Sequence, residues 1–181
     1  YIFVTKGEVE TYNEKIVAGL FTWDNFSFTS DANSELDIEF AQWGNPAENI
    51  YTAYTVQPSR GGTYAERYDK PAENLTYDEN GYTTHIINWQ PDEIIFELHT
   101  GDDTSAATLL HQFIFDNTNP ARTALESGSE SDPVIIPTPQ SDTRPHINFW
   151  LFDENGNGKG DLPTDGLPAE FIVHRFEYIP M

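Results

Sequence analysis

The chain has 181 residues, a length typical of one domain. Its 30 acidic and 9 basic residues give a formal charge of −21, a field that repels phosphate backbones and anionic lipid headgroups, so we expect neither a nucleic-acid nor a membrane partner. The absence of cysteine excludes disulfides, thiol catalysis and cysteine-type zinc sites. No apolar run approaches the roughly 20 residues that a bilayer span requires.

Short segments rich in β-branched and aromatic residues follow one another along the chain, separated by turn clusters such as DENGY and TGDD. In chain order these segments lie at residues 16–23, 35–40, 49–57, 84–89, 93–99, 109–115, 146–152 and 170–178. No stretch shows the apolar spacing of a long helix. We therefore predict one all-β domain over residues 1–181, built as an antiparallel β-sandwich.

Two further features concern the limits of this domain. The chain opens on YIFVTKGEVETY, which is typical of a strand already in progress, and we expect the domain to be N-terminally incomplete. Residues 123–144 are rich in Ser, Pro and acidic residues, with a short apolar island at 134–136. This composition predicts a long surface loop, either an inert insertion or a rim over a binding groove.

The segment ELDIEF at residues 35–40 carries three acids at alternate positions. Because strand side chains alternate, Glu35, Asp37 and Glu39 share one face, and the apolar residues between them share the face that enters the core. We expect all three acids to be solvent-accessible. Repulsion among neighbouring carboxylates raises the pKa of at least one, as a general acid requires. The pattern favours glycoside hydrolysis by paired carboxylates, with a solvated acidic strand as the alternative.

Aromatic and amide side chains with the same parity occur on neighbouring predicted strands. Trp23 lies in the strand before the acids, Trp43 follows them, and Asn148 and Trp150 alternate in HINFWLF. Indole faces stack on pyranose rings and amides bind hydroxyl groups, so these residues fit a groove for a neutral sugar, although a Trp taken alone is more often a core residue than a ligand platform. We assign Trp89 to the core. The alternate residues of HINFWLF are also predicted to be core residues: Ile147, Phe149 and Leu151.

The segments GLFTWD, ELDIEF and QWGNP resemble glycoside hydrolase family 16, the jelly-roll β-glucanase family. The similarity is closest to a bacterial branch with the signature EIDIEFSRWGNP followed by VQP, matched here by residues 35–46 and 56–58. HINFWLF is similar to the family's NxW strand. TTHIINWQPDEI is similar to its HxYxxxW segment, with Thr83 and His85 in the places of the His and Tyr.

The resemblance implies a concanavalin A-like jelly roll with a concave substrate-binding sheet. It implies Glu35 as nucleophile, Glu39 as acid/base and Asp37 as the electrostatic helper between them. Together with the parity and the signature, it predicts a set of sugar-contacting residues: Trp23, Trp43, Gln57, Asn148 and Trp150. The implied protein is a secreted or periplasmic, monomeric endo-β-glucanase-like enzyme that retains configuration and needs no cofactor for catalysis. A non-catalytic carbohydrate-binding sandwich and a transglycosylase stay open as alternatives.

The segment DENGNGKGD at residues 153–161 has the D-x-N-x-N-G spacing of an EF-hand-type loop. Its oxygen ligands to a structural Ca²⁺ would come from Asp153, Asn155, Asn157 and Asp161. The twelfth position is Thr164 rather than Glu, and a Gly/Asn-rich hairpin loop without metal explains the same residues. Both interpretations stay open at this point.

Overall fold

The computed structural model describes residues 1–25, 34–47, 52–57, 67–71, 75–116 and 136–180. Across these ranges the chain forms β-strands and one short 3₁₀ turn at Val9–Thr11, and no helix there is long and apolar enough to cross a membrane. In chain order the strands are β1 (Ile2–Lys6), β2 (Ile16–Trp23), β3 (Leu36–Ala41), β4 (Ala53–Val56), β5 (Tyr68–Asp69), β6 (Tyr82–Trp89), β7 (Glu93–Thr100), β8 (Leu109–Asp116), β9 (Arg144–Leu151) and β10 (Ile172–Glu177).

The strands form two five-stranded antiparallel sheets that pack face to face. One, which we call the carboxylate sheet, has the order β5-β4-β3-β2-β9, and the other, the opposite sheet, has the order β10-β1-β6-β7-β8. The predicted all-β sandwich of the jelly-roll type is therefore confirmed. Residues 123–135 of the predicted long loop lie outside the described residues, and β9 begins at Arg144, two residues before the predicted strand at 146–152.

The core lies between the central strands of the two sheets. On β3, Leu36, Ile38 and Phe40 are at most 1% exposed. Tyr54 of β4 stacks on Phe96 of β7 with ring centroids 5.0 Å apart, which ties one sheet to the other. Since a shift of one residue would bury three acids, this apolar face fixes the register and turns the acids outward.

The tryptophan and the histidine of the segment TTHIINWQPDEI are both buried in this core. Trp89 is 5% exposed and its Nε1 donates to the Pro137 carbonyl at 2.8 Å, as the core assignment predicted. His85 is fully buried, and its Nε2 lies 3.3 Å from the Thr5 hydroxyl and 3.1 Å from that of Thr83. Burial lowers the pKa of His85 to about 3, so this imidazole is a neutral structural group.

The prediction that one face of β9 is buried in the core is wrong for Ile147 and Phe149. Ile147 is 51% exposed and Phe149 is 43% exposed, whereas Leu151 is half-buried. The reason is topological, because β9 pairs with β2 alone and forms the edge of the carboxylate sheet. The side chains of an edge strand have neighbours on one side only, so alternation along β9 separates the two faces correctly but overstates burial.

Candidate active site

The three acids of residues 35–39 lie in a groove on the outer face of the carboxylate sheet. Strand β3 is central in this sheet, with β2 and β4 as its neighbours. The groove has a volume of 380 Å³, within the range of about 300–1,000 Å³ typical of small-ligand sites. Its described lining residues come from β2, β9 and the acidic segment: Gly19, Phe21, Trp23, Glu35, Asp37, Glu39, His146 and Asn148.

The acids differ in exposure. Glu35 and Glu39 are half-buried, but Asp37 is only 5% exposed, so the expectation that all three are solvent-accessible is wrong for the middle one. Asp37 lies opposite Phe21 on β2 and Thr55 on β4, and these neighbours shield it from both sides. Its Oδ2 accepts a hydrogen bond from Nε2 of Gln57 at 3.0 Å. Gln57, which the sequence predicts to contact sugar, therefore also contacts the central acid directly.

Burial raises the pKa of every member of this set, and repulsion from neighbouring carboxylates adds to the rise at Glu35 and Asp37. Burial raises the pKa of Glu35 to about 7, with the neighbouring Glu39 carboxylate adding to the effect. Burial likewise raises the pKa of Glu39 to about 7. The pKa of Asp37 lies well above its usual range because of burial and both glutamates, while the Gln57 hydrogen bond opposes the rise. These groups titrate as one coupled unit.

Such a unit can hold an acid and a base side by side near neutral pH. With pKa values near 7, a proton stays on part of the set while another member is ionised. A protonated carboxyl that donates beside a carboxylate that attacks is the combination that double-displacement glycoside hydrolysis requires. Strand β3 and the residue before it thus bring together carboxyl groups that can be present in both protonation states near neutral pH.

The raised pKa of Glu35 predicts how stability changes with pH when this side chain is replaced. Its folded pKa of about 7 exceeds the ordinary 4.5, so its stabilising contribution is fully present below pH 4.5 and is lost as pH rises through 7. Gln cannot ionise. We expect Glu35→Gln to melt at a higher temperature than the wild type at about pH 8, with the gap closing at about pH 5. Melting curves that keep the same gap at both pH values would contradict this.

Strands β2 and β9 form one wall of the groove. Phe21 stacks on His146 with centroids 5.2 Å apart, and Trp23 lies farther along the same face of β2. Gly19 pairs with both Glu39 and Asn148, and a Cβ at this glycine would lie 2.6 Å from Asn148 Oδ1. Only glycine leaves Asn148 room to lie across β2. Sequence parity nominates Trp23 and Asn148, but it does not nominate Gly19, for which the signal is a glycine inside an apolar strand.

Trp43 and Trp150, both predicted to contact sugar, lie next to each other just beyond the groove. Their ring centroids are 6.0 Å apart and their planes are inclined at 61°. Strand β3 ends at Ala41, and Trp43 adopts a positive φ of 51°, so it does not continue the acidic face as the strand parity predicted. Trp150 is 39% exposed and lies opposite Val17, two pairs past the row of Glu39. The two rings form an aromatic corner at that end.

A scan against protein families, a search of curated proteins and a search of solved structures found no match for this chain.

A larger cavity, of 540 Å³, lies elsewhere on the sandwich. It is lined mainly by apolar and aromatic side chains of β1, β6 and the segment after β10, among them Ile86 and Tyr178. Glu97 is the single carboxylate among its described lining residues. Volume alone would favour this cavity, but paired titratable groups with shifted pKa values are the better sign of an active site, and the groove has them.

The loop at residues 153–161 is held by its own hydrogen bonds. Asp153 accepts from the backbone N–H of Asn157 at 3.2 Å and of Gly158 at 2.6 Å. Asp161 accepts from the backbone N–H of Glu154 at 3.1 Å and from the Asn155 amide at 3.2 Å. Within the described residues no group of three or more His, Cys, Asp or Glu side chains is placed to hold a metal. The Ca²⁺ site stays a prediction.

A melting experiment tests this loop directly. If Asp153 and Asp161 bind Ca²⁺, added Ca²⁺ raises the melting temperature and a chelator lowers it, because a ligand that binds only the folded state stabilises it. Asp161→Asn should remove that response. A melting temperature that ignores both Ca²⁺ and chelator would leave the hydrogen-bonded hairpin loop as the interpretation.

Proposed function

We propose that this protein is a retaining O-glycoside hydrolase that acts on a neutral β-linked polysaccharide, specifically a β-glucan. The observation that carries the proposal is the row of three carboxyl groups on the outer face of one strand, with a buried Asp37 between two half-buried glutamates whose pKa is raised to about 7. The groove around them also offers the indole of Trp23 and the amide of Asn148.

The roles within the row follow the resemblance to glycoside hydrolase family 16. Glu35, as carboxylate, attacks the anomeric carbon, and the bond to the leaving oxygen breaks as Glu39 donates its proton to that oxygen. In the second half, Glu39 takes a proton from water, the oxygen of that water attacks the same carbon, and Glu35 leaves. Two inversions give net retention. Asp37, between them, is the electrostatic helper that the resemblance implies, and its own pKa is raised by burial and by both glutamates.

The electrostatics of the groove favour an uncharged glycan. Its described lining residues include three carboxyl groups and no Lys or Arg, and the chain as a whole carries a formal charge of −21. Sulfated or uronate polymers would be repelled by this field, whereas a neutral sugar ring can stack on an aromatic face. The assignment of a β-glucan in particular comes from the family resemblance.

The experiment is a reducing-sugar assay on the full chain with a panel of neutral β-glucans, a neutral galactan and a sulfated galactan. We expect release from a β-glucan and none from the sulfated polymer. Glu35→Gln is the inactive control, and Glu97→Gln, the same exchange on β7 of the opposite sheet, is the active one. Separation of the products distinguishes hydrolysis from transfer to a second glycan.

Two results of this assay would contradict the proposed function or its assignment to the acidic row. Binding of a neutral glycan without release of reducing ends would favour the carbohydrate-binding module. Release that persists in Glu35→Gln would place the chemistry outside the acidic row.

A further inference from the structure

Gln57 lies at the end of β4, directly beside the row of acids. Its backbone N–H donates to the Glu35 carbonyl at 3.1 Å, which continues the pairing of β4 with β3 by one residue. The register places Thr55 opposite Asp37, so residue 57 comes two positions farther on the same face. From there the side-chain Nε2 reaches Asp37 Oδ2 at 3.0 Å.

A buried arginine holds this end of β4 in place. Nη1 of Arg67 donates to the Gln57 carbonyl at 3.0 Å and to the Val56 carbonyl at 3.3 Å, and the Arg67 carbonyl accepts from the Val56 N–H at 2.9 Å. Arg67 is 1% exposed and its guanidinium lies over the ring of Phe115, 5.2 Å from the centroid. A charged group fixed this deeply gives the Gln57 backbone little freedom.

The amide nitrogen of a glutamine can only donate a hydrogen bond. At Oδ2 of Asp37 it therefore favours the ionised carboxylate and fixes the plane of that group. Among the described residues, the titratable groups that face Asp37 are Glu35 and Glu39 on its own strand and, across Phe21, His146 of β9. Gln57 adds a neutral hydrogen-bond donor to Asp37 from the β4 side. The hydrogen bond from Gln57 lowers the pKa of Asp37 and so opposes the rise that burial and the two glutamates cause.

We propose that Gln57 is a positioning residue, which orients the Asp37 carboxyl through its side-chain amide. Arg67 in turn holds the Gln57 backbone through its hydrogen bond to the Gln57 carbonyl. The consequence of Gln57 for turnover rests on the proposed glycosidase function, since Asp37 lies between the proposed nucleophile Glu35 and the proposed acid/base Glu39. The orientation of Asp37 itself does not depend on any activity.

The test replaces Gln57 by Met, which has nearly the same shape and no N–H. A matched control is Gln112→Met on β8, because Gln112 also donates Nε2 to a carboxylate, Glu97 Oε1 at 2.7 Å, on the opposite sheet. Carboxyl titrations by ¹³C NMR in the ligand-free protein should show the highest pKa of the acidic row moving upward in Gln57→Met and unchanged in Gln112→Met. Gln57→Leu serves as a second variant if Gln57→Met does not fold.

On a glucan that the wild type hydrolyses, Gln57→Met should lower kcat by roughly 10- to 100-fold with KM little changed, the size of loss that a misplaced catalytic group produces. The basic limb of the pH profile should move to higher pH. A rise in KM alone, with an unchanged titration, would assign Gln57 to substrate contact and overturn the proposal. If the wild type hydrolyses no glycan, the proposed function fails, and the titration still decides whether Gln57 positions Asp37.

Discussion

Glu35→Gln is expected to lower the rate of glucan hydrolysis by roughly 10⁴-fold or more, the loss typical of removing a nucleophile that acts within a catalytic unit. The amide has the shape of the carboxyl but cannot form the glycosyl ester. Because Glu35 lies on the outer face of the carboxylate sheet and its pKa is raised to about 7, the neutral amide leaves the fold intact. The measurement is the initial rate of reducing-end release.

The controls separate this loss from a general effect of charge. Glu97→Gln removes one carboxylate from the opposite sheet and should keep the wild-type rate. Glu39→Gln should also be nearly inactive on a polysaccharide, but it should regain activity on substrates whose leaving group needs no proton. Wild-type activity in Glu35→Gln would refute the nucleophile assignment.

Phe40→Ala is expected to give the largest loss of stability, about 3–5 kcal/mol, which is the usual cost of deleting a fully buried aromatic ring. Phe40 is 1% exposed and lies 5.0 Å from the ring of His85 and 5.5 Å from that of Phe171. This loss is large beside the total of about 5–15 kcal/mol that holds a domain folded. Urea denaturation, read as the change in midpoint at constant slope, measures it.

Phe149→Ala is the matched control on the edge strand. Phe149 has the inward parity of a core residue, but it is 43% exposed. We expect a loss of about 1 kcal/mol, the typical cost of a point substitution. Equal losses at the two phenylalanines would mean that the core extends under β9, contrary to the topology described above.

The alternation of β3 was predictable because it is local. Three acids and three apolar residues in strict alternation have one register that keeps the charges out of the core, and the structure has that register. The same reasoning puts Trp23 and Asn148 at the groove, since each lies on a strand whose other face is apolar. The all-β class and the residues that lie on the outer face of the carboxylate sheet thus follow from the sequence periodicity.

Features that depend on strand order were not predictable in the same way. The burial of Ile147 depends on whether another strand lies beside β9, and alternation along β9 contains no information about its neighbours. The burial of Asp37 depends on the side chains of β2 and β4, which the topology brings together from distant positions. Trp43 departs from parity because the strand ends two residues earlier and the backbone turns to positive φ.

The central claim is that Glu35 is the nucleophile and Glu39 the acid/base. Azide rescue on an activated β-glucoside tests these two roles most directly. In Glu35→Ala, azide should occupy the nucleophile's place, attack once and yield the α-glycosyl azide. In Glu39→Ala, Glu35 still forms the covalent intermediate, and azide entering from the opposite face should yield the β-glycosyl azide. A β-glycosyl azide from Glu35→Ala, or no azide product from either variant of an active enzyme, would contradict the assignment.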